Sequence, residues 1–168
     1  MPVRCAGKGI GDNISPPLGW DGVPDGTKEL ALIMEDPDAP LPRPFVHLIV
    51  YGIPSDSNGV LAGALGAGGT LRFGKSTTGS QGYMGPRPIR AHGPHQYGIL
   101  ILALNRPVRF ASPPDLKSFL KAIHPRIIKG TCDGQMWHTD RYGLPCLPRL
   151  LHLHPATCRR LTRLSREA

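Results

Sequence analysis

Glycine and proline fill 40 of the 168 positions, 21 and 19 respectively, about twice their usual share. Glycine weakens the interior of a helix or strand because it gives up the most backbone freedom on ordering, and proline removes a donor and breaks an interior helix turn. Long helices are therefore nearly ruled out. A chain punctuated this often favours short strands joined by turns and ordered loops. Its length suits one domain able to bury a full core, so the expectation is a β-rich single domain.

Charge adds a second constraint. Of 20 basic and 12 acidic side chains, residues 1–90 hold eight of each, residues 91–137 hold six basic against two acidic, and residues 138–168 hold six against two. The surplus of +8 lies wholly in the second half and raises the chance of an anionic ligand. Only 6% of residues are aromatic and no nucleic-acid motif is present, so no specific DNA or RNA reading is expected. The basic tail leaves open nonspecific attraction to nucleic acid or an anionic membrane, which salt would abolish. No apolar run approaches the roughly 20 residues that span a bilayer, and Met1–Ile10 has no apolar signal core. Cys5, Cys132, Cys146 and Cys158 are widely spaced with no C-x-x-C pair, which fits neither a zinc ribbon nor a disulfide scaffold. Reduced thiols in the cytoplasm are the expectation.

Three segments read as strands. KELALIME (28–35) alternates and stops at Asp36-Pro37-Asp38-Ala39-Pro40, where the prolines end pairing. FVHLIVYGI (45–53) places Phe45, His47, Ile49 and Tyr51 on one face and Val46, Leu48 and Val50 on the other. YGILILALN (97–105) is again apolar on both faces, as a central strand should be. Residues 1–27 form an ordered loop anchored by Leu18 and Trp20. Residues 54–96 are a long Gly-rich stretch, read as a packed functional loop with one short strand within 63–73. One helix is expected over 112–123, with Ser112 as cap, Pro113 in its first turn and Leu116, Phe119, Leu120 and Ile123 on one stripe. A short strand is placed at 126–129, and a further amphipathic helix at 158–164.

Seven histidines direct the search for chemistry. A strand histidine such as His47 is ordinarily a satisfied core residue, but partners change that. Asp36 leaves the first strand, His47 lies on the second, and His95 with Tyr97 opens the third; if these strands are neighbours, a carboxylate, two imidazoles and a phenol converge at one sheet edge. Such a group suits anion binding through ring N–H and phenol O–H donors, a two-histidine, one-carboxylate metal site, or His–Asp acid–base chemistry. No G-x-S-x-G, H-E-x-x-H or complete phosphate loop is present, GKSTTGS (74–80) lacking the strand-to-helix context of one. The absence of an obvious nucleophile favours binding over turnover. The Asp-Pro-Asp turn gives Asp38 a structural role through side-chain to backbone bonding, and His92 with His95, three apart but not on a helix, is a weak metal pair.

SPPLGW (15–20), DPDAP (36–40), FVHLIVYGIP (45–54), GYMGPRP (82–88) and GPHQY (93–97), in that order, resemble the phosphatidylethanolamine-binding (Raf kinase inhibitor-like) family, most closely its bacterial and archaeal branch. The resemblance covers about residues 5–130. It implies a mainly β fold: two antiparallel sheets packed in a β-sandwich-like domain with long Gly/Pro loops and one or two short helices. It also implies a small anion pocket made by Asp36, His47, Gly85, Pro86, His95 and Tyr97, with Asp38 and Pro40 shaping the turn. Phosphate-bearing small molecules or phospholipid head groups are the implied ligands, a protein kinase or protease the implied partner, and neither a cofactor nor catalysis is implied. The runner-up is a metal-dependent hydrolase using Asp36, His47 and His95. Members begin with one or two further strands ahead of the match at Cys5 and Gly7, so the chain is expected to be shorter there. Arg87-Pro88-Ile89 stands where the bacterial branch often has Cys-Pro-Pro, which makes the rim more basic. The domain is placed at 1–137, with a basic tail at 138–168.

Overall fold

Strands that are apolar on both faces must be covered on both, and the computed structural model meets that demand with two separate cores around one sheet. It describes residues 3–66, 68–87, 93, 95–131, 135–138 and 149–150. In chain order the strands are β1 (Leu18–Gly19), β2 (Glu29–Asp36), β3 (Phe45–Ile53), β4 (Gly59–Val60), β5 (Arg72–Phe73), β6 (Gln96–Leu104), β7 (Ile127–Thr131), β8 (Gln135–His138) and β9 (Arg149–Leu150). A helix, α1 (Leu116–Ile123), lies between β6 and β7. The main antiparallel sheet runs β5-β3-β2-β6, with β7 and β8 both paired to β6 and β9 paired to β8. A second antiparallel sheet joins β1 to β4. Among the described residues the fold is thus mainly β, with two antiparallel sheets and one short α-helix, as expected.

On one face of the main sheet, Leu30, Leu32, Met34, Leu48, Val50 and Ile99 pack against Cys5, Leu18, Leu65 and Tyr83, which the loops and the small sheet supply. On the other, Ala31, Ile33, Ile49, Tyr51, Leu100 and Leu102 meet Val108, Phe119, Leu120 and Ile123. An eight-residue helix is marginal alone. Burial of Phe119, Leu120 and Ile123, at about 1.5–3 kcal/mol each, is what holds α1 in place. The N-terminal loop is anchored as expected: Leu18 is buried, and Trp20 Nε1 donates to Ser57 O at 2.7 Å.

Several boundaries differ from the sequence reading. β2 and β6 are each displaced by one residue, β7 begins at Ile127, and among the described residues of the 63–73 region only Arg72–Phe73 form a strand. Arg149–Leu150, inside the segment read as a tail, pairs with β8. The helix placed at 158–164 lies outside the described residues. Helix α1 starts four residues later than expected because its cap is Asp115, which accepts from Ser118 N at 2.8 Å, and not Ser112. Consecutive prolines hold residues 112 and 113 away from helical geometry. Pro114, buried, uses its carbonyl to accept from Lys75 N at 2.7 Å, so the Pro–Pro unit docks onto the sheet instead of opening the helix. Asp115→Ala is therefore expected to lower unfolding free energy by about 1 kcal/mol in a urea melt, and Ser112→Ala to leave it nearly unchanged.

The consequential difference is a β-bulge. Met34 pairs with Leu48 and Glu35 with Val46, so His47 is the extra residue on β3 and the alternation of that strand breaks there. His47 does not share the face of Ile49 and Tyr51, as strict alternation required; it turns to the opposite face, beside Tyr97. A second register shift, where Gly52 adopts φ 80°, offsets β3 again near its end. Among the described residues, no helix is long and apolar enough to cross a membrane.

Candidate functional site

Antiparallel pairing places the end of β2 against the start of both of its neighbours. Asp36 pairs with Phe45 of β3, and Glu35 with Gly98 of β6. Asp36, His47, His95 and Tyr97 consequently meet at one end of the sheet, and all four line a cavity of about 700 Å³. Asp36 and His95 are both buried and joined at 2.7 Å, with His95 Nδ1–H donating to Asp36 Oδ2. The other carboxylate oxygen accepts from Asp38 N at 2.9 Å, and Asp38 Oδ2 accepts from Gln96 N at 2.7 Å. The DPDAP turn is thus tied to β6 at the point where His95 leaves it.

His47 Nδ1–H donates to the Met84 carbonyl at 2.7 Å. Its ring lies 4.7 Å from Phe45 and stands edge-on to Tyr97 at 5.2 Å, while Tyr97 stacks on His95 at 6.5 Å. Burial lowers the His47 pKa, against the raising effects of the Met84 bond and the Asp36 carboxylate. Burial, then the neighbouring Asp36 carboxylate, raises the Tyr97 phenol far above its ordinary range, so it stays protonated. The His47 shift has a consequence for stability. Its folded pKa is below the unfolded one, so the unfolded chain binds the proton more readily and stability is lost as pH falls below about 6.5. In urea melts between pH 7.5 and 5.5, the wild type is expected to lose more stability than His47→Gln, by at most about 1.4 kcal/mol per pH unit.

The remaining expected residues divide into lining and support. Gly85 lines the cavity, and its N–H donates to Asn13 Oδ1 at 2.7 Å. Pro86 is buried outside the lining, where its carbonyl accepts from Gly7 N at 2.9 Å. Pro40 lines the cavity, and Asp38 is in the turn. Arg87, expected at a basic rim, is an exposed cation at the cavity edge; sequence reasoning missed Lys8, a second exposed cation there, and Thr78 and Ser80, whose hydroxyls bond at 2.9 Å. It also missed Asn13, whose side chain links Tyr83 O and Gly85 N. Its φ of 58° is rare outside glycine, but asparagine tolerates it best, and that is the only trace it leaves. Among the described residues no group of three or more His, Cys, Asp or Glu is arranged to hold a metal. Asp36 and His95 bond each other, and His47 bonds Met84. What the cavity offers is a protonated phenol, two imidazoles and a paired carboxylate inside, with cations at the mouth.

Comparisons with known proteins agree with this architecture. A UPF0098 protein of Methanothermobacter thermautotrophicus is 37% identical over 122 residues, covering 70% of this chain and 78% of the relative. Another, of Aquifex aeolicus, is 42% identical over 97 residues, and there the match spans 56% of each chain, little more than half the relative's length. Two solved structures share the fold. A homologue of phosphatidylethanolamine-binding protein, CT736 from Chlamydia trachomatis, matches with TM-score 0.69 and 29% identity over 77% of this chain and 83% of its own. YbcL of Escherichia coli, described as a member of the mammalian PEBP family, matches with TM-score 0.70 and 27% identity over 77% and 85%. The family model for phosphatidylethanolamine-binding protein matches residues 1–136, and the chain belongs to that family, in its bacterial and archaeal branch.

Proposed function

We propose that the chain is a non-enzymatic binding protein whose cavity captures a phosphate-bearing ligand, either a phosphoethanolamine-like head group or a phosphorylated partner. Membership of the family supports a binding role. The observation that carries the finer reading is the buried Asp36–His95 pair, set beside His47 and Tyr97 in a cavity edged by Lys8 and Arg87. The two cations attract the anion, the imidazoles and phenol orient it, and Asp36 fixes His95 in place. The Gly/Pro loops around the mouth then form the surface by which a bound kinase or protease would be inhibited. Cytoplasmic residence belongs to the same reading: Cys5 is a free, buried thiol whose burial raises its pKa and leaves it unreactive, as a reducing compartment permits.

Calorimetric titration with O-phosphoethanolamine tests the proposal. Saturable one-to-one binding is expected, and His95→Ala should weaken it at least 10-fold, because a hydrogen bond to a charged group contributes about 1.5–3 kcal/mol. Equal affinity in the two proteins would remove His95 from the site, and no binding in the wild type would overturn the reading.

A further inference from the structure

Hydrogen-bond polarity at the cavity wall bears on which phosphate chemistry fits. Met84 O can only accept, so His47 Nδ1 carries the hydrogen of their 2.7 Å bond and Nε2 of the neutral ring is an acceptor. The groups around that ring are Phe45 on its own strand, Asp36 on β2, Tyr97 on β6 and His95 just ahead of β6. Asp36 is a second acceptor, already receiving Asp38 N and His95 Nδ1. Burial lowers the ring's pKa and so favours the neutral form. A fully ionised tetrahedral anion presents only lone pairs, and against Nε2 it would set acceptor against acceptor. A phosphate monoester that retains one P–OH has a donor for that position, and its other oxygens remain for the cations at the mouth.

We infer that the site selects a singly protonated phosphate monoester, with His47 Nε2 accepting the hydrogen bond of its P–OH. This rests on the proposed function and narrows it. A phosphodiester, the form in an intact phospholipid head group, has no such proton, and neither has a sulfate monoester. The ligand is then a free phosphate monoester or a monophosphorylated group, not a membrane lipid.

Three ligands separate these chemistries on the full chain at about pH 6, close to the second pKa of a phosphate monoester. O-Phosphoethanolamine is expected to bind at least 10-fold more tightly than ethanolamine O-sulfate, which matches it in size and ammonium group, and than glycerophosphoethanolamine, a diester. In His47→Gln, whose amide can donate to a sulfate oxygen, the ratio of phosphate to sulfate affinity should shrink several-fold. Nitrogen-15 spectra of the wild-type complex provide a readout independent of that variant: His47 Nε2 should keep the resonance of an unprotonated ring nitrogen. A sulfate ester or diester binding as tightly as the monoester would overturn the inference while leaving anion capture standing, and so would a doubly protonated His47 in the complex. Binding of none of the three would overturn the proposed function, and this inference with it.

Discussion

Asp36→Ala is expected to lower the unfolding free energy by about 2–4 kcal/mol, because it leaves the buried His95 N–H without its acceptor, at about 1–3 kcal/mol, and removes the Asp38 amide bond, at about 1 kcal/mol. This carboxylate accepts from His95 Nδ1–H on one oxygen and from the Asp38 amide on the other, and the Tyr97 hydroxyl also bonds to it. With both side chains almost fully buried, water cannot replace the lost acceptor. The damage also spreads along the chain, because the DPDAP turn loses the bond that shapes it while Asp38 still holds Gln96 N. Asp36→Asn, which retains a carbonyl acceptor, should lose less stability than the alanine variant. Urea melts of the three proteins check the order. An Asp36→Ala protein as stable as the wild type would mean that the pair contributes nothing to the fold.

Gly85→Ala should remove about 3 kcal/mol and distort the cavity wall with it. A Cβ on Gly85 would run into the Cys5 carbonyl oxygen and come within 2.7 Å of Gly7 N, both backbone atoms that cannot swing aside. Gly7 is limited in the same way, since its own Cβ would lie 2.9 Å from Gly85 O. These two glycines let two loop backbones touch, and the contact is fixed by Gly7 N–H donating to Pro86 O and Gly85 N–H donating to Asn13 Oδ1. Overpacking ordinarily destabilises by about 1–3 kcal/mol, and the upper end applies where only backbone can yield. Phosphoethanolamine affinity should fall as well, because Gly7, Asn13 and Gly85 all line the cavity. A control at Gly22, where a Cβ meets nothing within 4 Å but φ is 64°, should lose less stability.

The parts of this fold that could be read from sequence are those set by hydrophobic pattern. β2, β3 and β6 announce themselves because a central strand buried on both faces needs Leu, Ile and Val at nearly every position, and ELALIMED, FVHLIVYGI and QYGILILAL supply them. Asp36, His47, His95 and Tyr97 could be placed near one another because they sit at the ends of those strands. The face of His47 could not be read, since the bulge that turns it depends on pairing with Met34 and Glu35, residues remote in sequence. The start of α1 misled because the Ser-Pro-Pro run resembles a cap, whereas its last proline is bound to Lys75. Lys8, Asn13 and Arg87 lie in loops of no regular period, brought to the cavity only by backbone contacts such as that of Gly7 with Gly85. The family resemblance supplied Gly85, Pro86 and the basic rim at Arg87 from that loop region, while periodicity alone supplied none of it.

The central claim is that a phosphate group is held at the end of the sheet by the side chains gathered there. The most direct test follows the ring nitrogens of His47 and His95 by nitrogen-15 spectroscopy as O-phosphoethanolamine is added to the full chain. Saturable shifts confined to those two rings and to the amides of Gly85 and Tyr97 are expected, with a midpoint equal to the calorimetric dissociation constant. Shifts at the basic C-terminal segment with both rings unmoved would contradict the claim.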